Sequence, residues 1–374
     1  MSISSPDNLN SLKPHLLKGD LSDEEIAFFV SKLQKGFTSN REIIGDYQKS
    51  AELVSAYTAF YMPSNFKKSV KTFEYLESVI NLQTKNSVEL FDIGCGPGTM
   101  SLAYAKELQQ KFPGIELRVN LVDTSRLMLD QAEKLFSAFF PEVKVYSFLA
   151  HEFFNSSKFK RSELSICLFA NSQNEFGQKV FLSYLEKVSP ELICLLSPGN
   201  KDRFWSLLDL KDILESKKGY SIAYPCVCSE KKCPLDRGDW CHQVLRVKND
   251  PSFDRISQMT KIDRRTLPYI FHLYQFREKV GERAPSLNLE TLTGTILQFL
   301  GKNKACYRWR ICLIDQDNGG LRDFNAEFLI RGMDKRAIKM LEELNVGDRV
   351  EIKIKKFIND STIRIVIPGI SIQN

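Results

Sequence analysis

Two short stretches of this 374-residue chain carry residues whose types and spacing suit chemistry. The first is Phe91-Asp92-Ile93-Gly94-Cys95-Gly96-Pro97-Gly98-Thr99, set between an apolar run and a helical pattern. Glycines there let the backbone approach a ligand closely, and amides at a helix start present donors to its polar end. Asp123 closes the next apolar run, the place where an acid in an alternating sheet takes ribose hydroxyls. The plainer alternative is a glycine-rich strand–helix turn with no ligand. The second stretch is Pro225-Cys226-Val227-Cys228-Ser229-Glu230-Lys231-Lys232-Cys233-Pro234-Leu235, followed by Gly238-Asp239-Trp240-Cys241-His242. Residues 226–241 hold four of the nine cysteines, where random placement would put about 0.4. Thiolates gathered this densely on irregular backbone suit a soft metal centre. Zinc prefers short Cys-x2-4-Cys knuckles, which gaps of one, four and seven residues fit poorly. An iron–sulfur cluster tolerates irregular spacing. Free thiols, or a disulfide formed on isolation, are the third reading. Cys95, Cys167 and Cys194 sit in apolar contexts and read as small core residues.

The elements that must position these residues can be read from periodicity. Ser22 to Lys35 suits an amphipathic helix capped by Ser22 or Asp23 and stopped by Gly36. Ala51 to Met62 and Lys67 to Leu82 read as two helices separated by Pro63-Ser64-Asn65, completing an N-terminal helical cap over residues 1–85. From Val88 short apolar runs alternate with helical stretches. Strands are expected at Val88 to Ile93, Leu117 to Val122, Val143 to Phe148, Leu164 to Phe169 and Leu192 to Leu196. Helices are expected at Met100 to Gln110, Ser125 to Phe139 and Val180 to Lys187. Alternation of this kind implies parallel βαβ crossovers, so residues 86–224 are expected to form an α/β doubly wound sheet. Residues 225–286 are cysteine-rich and then basic. Residues 287–374 show strand-like alternation at Tyr307 to Leu313, Glu327 to Arg331, Arg349 to Phe357 and Thr362 to Ile367. One helix, Lys335 to Leu344, interrupts them, with turn signals at Asn318-Gly319-Gly320 and Asn345 to Asp348. A small, mostly antiparallel barrel is expected.

Composition narrows the function classes. Hydrophobic residues at 43% and charged residues at 26% exclude disorder or a low-complexity filament as the dominant state. Lysine and arginine exceed aspartate and glutamate by 52 to 46, a mild basic bias that permits a polyanionic partner without requiring one. No segment approaches the roughly 18 uninterrupted apolar residues of a membrane span. Met1 to Asp20 has neither a secretory pattern nor the arginine-rich character of a presequence, so a cytoplasmic setting with reduced thiols is expected.

The Gly-x-Gly-x-Gly spacing, lacking the extra residue of the dinucleotide fingerprint, resembles the first motif of class I S-adenosylmethionine-dependent methyltransferases. Asp92, Gly94, Gly96 and Asp123 match it, with Gly98 completing the loop. Ala150, beside His151, and Asn171 would border the adenine and the methyl pocket by their positions in such folds. The run Phe169-Ala170-Asn171-Ser172-Gln173-Asn174 lacks the Asn/Asp-Pro-Pro-aromatic signature of amino methyltransferases, and no Pro-Cys nucleophile stands there. No catalytic residue is therefore named, although transfer to an already nucleophilic atom needs mainly proximity.

Over about Ala56 to Arg349 the chain resembles a known family, the methyltransferase-like assembly factors of the small ribosomal subunit, which occur in mitochondria and in many bacteria. The matching words are Ala56-Tyr57 with Pro63, the Asp92 to Gly98 loop, Ser197-Pro198-Gly199-Asn200, the Cys233-Pro234-Leu235 and Asp239-Trp240-Cys241-His242 words, and Leu267-Pro268-Tyr269. The resemblance implies a [4Fe-4S] cluster held by three central cysteines and one in the C-terminal barrel, tying two domains together. Cys233 and Cys241 match directly. Cys226 matches through its preceding proline, with Cys228 as rival because the interval to Cys233 is one residue long. The last ligand is Cys312, with Cys306 as second choice. Ser197 stands where relatives often carry glutamate.

Basic residues Arg246, Lys248, Arg255, Lys261, Arg264 and Arg265, then Lys302, Lys304, Arg308 and Arg310, could neutralise phosphates. By themselves they fit a solvated face equally well. The resemblance implies ribosomal RNA. The reading is thus a monomeric, S-adenosylmethionine-binding, iron–sulfur assembly factor of the small-subunit precursor. The alternatives are an active ribosomal RNA methyltransferase, or a small-molecule methyltransferase with a zinc-stapled second domain.

Overall fold

A computed structural model describes residues 5–38, 47–156, 162–227, 231–277, 292–314, 320–331 and 333–373. Cys228, the Asn318-Gly319 part of the turn signal and the boundary at 286/287 lie outside the described residues. In chain order the elements are α1 (Leu9–Leu12), α2 (Asp23–Thr38), α3 (Ala51–Val79), β1 (Ser87–Ile93), α4 (Thr99–Lys111), β2 (Glu116–Asp123), α5 (Arg126–Phe139), β3 (Lys144–Leu149), α6 (Ala150–Asn155), β4 (Leu164–Ala170), α7 (Gln173–Val188) and β5 (Leu192–Pro198). They continue with α8 (Lys201–Lys217), β6 (Tyr220–Tyr224), β7 (Gln243–Arg246), α9 (Pro251–Thr260), β8 (Thr266–Phe276), β9 (Leu292–Lys302), β10 (Cys306–Ile314), β11 (Leu321–Leu329), α10 (Lys335–Glu343), β12 (Arg349–Asn359) and β13 (Thr362–Gln373). These elements group into two units, Met1–Leu195 with Leu245–Leu267, and Leu196–Val244 with Pro268–Asn374.

The first unit carries strands in the order β3-β2-β1-β4-β5. β1 pairs in parallel with β2 and β4, and β2 pairs in parallel with β3. All five expected strands and two of the three expected helices are present within a few residues of their sequence bounds; the third, expected at Val180 to Lys187, starts seven residues earlier at Gln173 and kinks at Gly177. β1 runs almost wholly buried, as a parallel strand covered on both faces must. The order reverses between β1 and β4, which creates a switch point at the carboxyl ends of these two strands.

Two helical expectations are corrected. Gly36 does not stop α2, which runs on to Thr38; the capping box is real, with Ser22 Oγ accepting from Glu25 N (3.1 Å) and Glu25 Oε2 from Ser22 N (2.8 Å). The two helices expected on either side of Pro63 are one, α3, with Pro63 inside it. Proline removes one backbone bond and crowds the preceding turn. Here Phe60, Met62, Phe66 and Phe73 bury along the same rod, and Arg264 donates to Ser64 Oγ (2.7 Å) and Asn65 Oδ1 (3.0 Å) just past the proline. Tertiary packing outweighs the local penalty.

In the second unit β6 pairs antiparallel with β8, and β9 to β13 close into a barrel in the order β10-β11-β13-β12-β9. The β11–β13 ladder is parallel, whereas β10–β11, β10–β9, β12–β13 and β12–β9 are antiparallel. The expected barrel and its helix are present. β11 begins at Leu321, earlier than expected, and β9 had no counterpart in the sequence reading. Ile296, Trp309, Ile311, Phe328, Val350 and Ile352 fill the interior, and Leu341 of α10 packs into the same core. With a helix between the third and fourth strands, this is the OB-fold arrangement.

Candidate functional site

The glycine loop leaves β1 at the switch point of the first unit. Gly94 N and Cys95 N both donate to Val122 O, at 2.7 and 3.0 Å, so the loop is tied to the end of β2. Gly94 has φ +65°, and a Cβ there would lie 2.4 Å from Ser172 Cβ and 2.7 Å from Phe176 Cζ. Only glycine lets the loop pass this close to the turn after β4. Gly96, φ +53°, is different: a Cβ there would meet nothing within 4 Å. The backbone thus borders open space at the position where a ligand would approach. Gly98, φ +75°, caps α4, whose first amides face the same loop.

The acids sit as the sequence reading requires. Asp123 is buried; its Oδ2 accepts from Gly96 N (2.8 Å) and its Oδ1 from Ser125 N (2.9 Å). Burial raises its pKa, against the pull of these amides. Asp92 is fully buried, and its Oδ2 accepts from Ser101 Oγ (2.6 Å) and Ser101 N (3.2 Å). Its Oδ1 has no partner. Burial pushes the Asp92 carboxyl up to about 7, and the charge of Asp123 adds to the shift. Across β4, Asn171 adopts φ +61°, rare for a side-chain-bearing residue, and its buried Oδ1 is also without a partner, as is Gln173 Oε1. Ser172 Oγ donates to Ile93 O (2.6 Å), which locks this turn onto the end of β1. Ala150 opens α6 beside the same edge, since Leu149 registers with Asp123. His151 is exposed.

Buried polar atoms are nearly always paired in native proteins. Among the described residues three buried oxygens at the β1 and β4 ends, Asp92 Oδ1, Asn171 Oδ1 and Gln173 Oε1, have acceptor capacity to spare. This donor and acceptor set fits a ligand bearing hydroxyls and an amine. The sequence reading missed Ser101, Ser172 and Gln173, whose roles come from elements that approach the loop only in the fold.

The cysteine stretch lies in the second unit, together with the barrel. Thr295 Oγ1 donates to Pro225 O (2.8 Å), and Arg349 Nη2 donates to Cys226 O. Thr295 registers with Cys312 on β10 and with Arg349 on β12. Cys226 is thereby held across three adjacent strands at the level of Cys312. Farther along, Arg310 bridges Asp239 and Asp323, the latter at 2.7 Å. Arg310 lies on β10 two residues before Cys312, hence on the same face. Lys211 of α8 donates to Lys231 O (3.3 Å) and pairs with Glu215 (2.6 Å), while Trp205 Nε1 donates to Asp239 O (3.2 Å).

These ties bring Cys226, Cys233, Cys241 and Cys312 within electrostatic reach of one another. Each has its thiol pKa raised, first by burial; Cys226 and Cys233 act on both Cys241 and Cys312, and Cys233 on Cys226. Burial pushes the Cys226 thiol up to about 12, while the Lys211 and Arg349 charges favour its anion. Cys306 lies six residues from Cys312 along β10, about 20 Å away at strand rise. Among the described residues no three His, Cys, Asp or Glu side chains converge closely enough to hold a metal ion. A tetrahedral zinc would need sulfurs about 4 Å apart, whereas a cubane takes four thiolates around a larger centre. Cys226, Cys233, Cys241 and Cys312 supply the soft donor chemistry that either centre takes. Cys95, Cys167 and Cys194 are buried in the first unit, as core residues should be.

The sequence family described as mitochondrial small ribosomal subunit Rsm22 matches residues 51–291. This chain belongs to that family. The matched Rsm22 region includes the glycine loop, the α3 rod and the three described cysteines of the 226–241 stretch. Among curated proteins none matches significantly. Similar solved structures include a class I S-adenosylmethionine-dependent methyltransferase, provisionally so assigned, from Listeria monocytogenes, with 11% identity, 74% of this chain and 91% of that chain covered, and a TM-score of 0.36. Another is a provisionally assigned RNA methyltransferase from Pyrococcus horikoshii, at 11% identity, 58% and 86% coverage and TM-score 0.34. A third is TrmK of M. capricolum, solved with S-adenosylhomocysteine, at 13% identity, 60% and 73% coverage and TM-score 0.31. These scores are low, and the Rsm22 chain's fold stands on its strand order. No helix among the described residues is long and apolar enough to cross a membrane.

Proposed function

We propose that this Rsm22-family chain binds S-adenosylmethionine and a [4Fe-4S] cluster, and assists maturation of the small ribosomal subunit by engaging its ribosomal RNA. Family membership supports the ribosomal part. The observation that carries the ligand part is the trio of buried oxygens without partners among the described residues, on Asp92, Asn171 and Gln173; the open flank of Gly96 supports it. Asp92, Gly94, Gly96, Gly98, Asp123, Ala150 and Asn171 are assigned to the nucleoside ligand, with Asp123 taking ribose hydroxyls and Ala150 bordering the base. Cys226, Cys233, Cys241 and Cys312 are assigned to the cluster; the cationic Lys211 favours the thiolate forms of Cys226 and Cys233, and Arg349 that of Cys226. When bound, the cluster supplies ligand bonds whose free energy becomes folding free energy. Its setting in this reading is the cytoplasm and its working state a monomer, although the family description names mitochondria.

A second reading, an active ribosomal RNA methyltransferase, is favoured by Asn171, whose unpaired Oδ1 could accept from a target amine at the methyl pocket. Co-sedimentation of the purified chain with small-subunit precursor tests the main reading: binding to the precursor and not to mature large subunits is expected, and its absence overturns the ribosomal assignment. Transfer of a labelled methyl group to subunit RNA in the same mixture would convert the assembly factor into the enzyme.

A further inference from the structure

The two loops that flank the ligand groove of OB-fold barrels join strands one and two, and strands four and five. In this chain those loops follow β9 and β12, and the strand ends that lead into them carry exposed apolar rings beside lysines. At the end of β9, Phe299 and Leu300 are 46% and 40% exposed, next to exposed Lys302 and Lys304. Phe299 leans on Trp309 with ring centroids 4.6 Å apart, which holds it out at the surface. At the end of β12, Phe357 and Ile358 are 56% and 40% exposed and follow exposed Lys353, Lys355 and Lys356. Phe357 meets Phe324 edge to face at 6.1 Å, and the Arg322 guanidinium stands 5.1 Å over the Phe324 ring.

A barrel gains nothing in stability by presenting an exposed phenylalanine near the end of a lysine-bearing hairpin. Lys302 pairs with Glu342 (3.1 Å) and Lys339 with Glu343, and among the described residues no ion pair includes Lys355 or Lys356. The conjunction of uncompensated cations and rigidly supported rings matches one chemistry, a polyanion with exposed flat bases. Duplex RNA hides its bases in stacked pairs, so the rings would find nothing to cover; unpaired nucleotides can lie on them. The face between the loops is already partly taken: Arg310 on β10 is held by Asp239 and Asp323, and Glu327 on β11 by Arg364. The contact therefore falls to the loop ends and not to the open strand face.

We infer that the β12–β13 hairpin, with the β9–β10 loop as a second contact, binds single-stranded RNA by stacking bases on Phe357 and Phe299 and pairing phosphates with Lys355 and Lys356. This deepens the ribosomal reading by naming the contact surface and the kind of RNA, and rests on that reading for the source of the RNA.

The test is fluorescence anisotropy of the full-length chain with a labelled 12-nucleotide single strand and with the corresponding duplex, over a range of salt. Binding of the single strand in clear preference to duplex is expected. Phe357→Ala should weaken it by about tenfold, while Phe357→Trp should restore it. Lys355→Gln with Lys356→Gln should lower the logarithmic salt slope by about 1.4. Thermal melting of each variant, read by circular dichroism, checks that these exposed changes leave the fold intact. Equal affinity for duplex, or single-strand affinity unmoved by all three changes, overturns the inference. If such variants bind oligonucleotide normally yet lose the precursor particle, the hairpin contacts protein and the inference fails while the ribosomal reading survives.

Discussion

Asp92 is the residue on which the proposed nucleoside site turns, and its titration would give that role a measurable signature. Its carboxyl is raised from 3.8 to about 7 by burial. The folded chain therefore binds more protons here than the unfolded chain between those two values, and stability falls as pH rises from about 4 to about 7. A cationic ligand at the same edge favours the ionised form, so S-adenosylmethionine binding should release a proton near neutrality. Affinity measured by calorimetry is expected to rise by up to about tenfold from pH 6 to 8, with buffer-dependent heats. Asp92→Asn should flatten both the affinity rise and the stability slope; an affinity that ignores pH in the unaltered chain would contradict this role. Asp92, the three glycines and Asp123 were legible in the sequence because they are neighbours in the chain or sit at a strand end that periodicity locates. Ser101, Ser172 and Gln173 were not, since their contacts depend on which helix start and which turn come to rest against the loop. The rivalry of Cys312 with Cys306 was likewise open in the sequence. Only the register of Cys312 with Thr295, and of Thr295 with Arg349, puts that residue under Cys226.

The glycine turn and the proline-bearing helix show which element-level signals survive tertiary structure. Strands β1 to β5 were readable because a doubly covered parallel sheet demands continuous apolar runs, and nothing else in this chain produces five of them with helices between. Pro63 misled because the rule that breaks a helix is local, while the packing of Phe60, Phe66 and Phe73 that carries α3 through it is not. β8 and β9 were missed for a related reason: Pro268 in one and Gly294 in the other weaken the strand pattern, and pairing within the sheet for β8 and barrel closure for β9 supply the missing preference. The glycine turn separates packing from ligand binding. Gly94→Ala puts a methyl group 2.4 Å from Ser172 Cβ in a left-handed backbone, and should cost about 2–5 kcal/mol in chemical denaturation. Gly96→Ala meets open space, so only the backbone strain of about 1–2 kcal/mol is expected. Its loss of S-adenosylmethionine binding should nevertheless be as complete. Retained affinity in Gly96→Ala would mean that the open flank is not where the ligand lies.

At the level of the whole molecule, the sequence reading expected the cluster to join two domains. All four cysteines lie in the second unit, where the proposed cluster would brace the 226–241 segment against the barrel. The hydrogen bonds from Thr295, Arg349, Arg310 and Trp205 hold the loop by only a few contacts, each worth roughly 1 kcal/mol. Cluster ligation would supply far more. Cys233→Ser is accordingly expected to lose iron and soluble yield together, whereas Cys306→Ser should keep both. The most direct test of the central claim is iron and acid-labile sulfide content, with an absorption spectrum, on chain purified without oxygen. The expected result is a brown protein with about four irons and four sulfides per chain. A colourless, metal-free monomer that melts cooperatively, or stoichiometric zinc in place of iron, would contradict it.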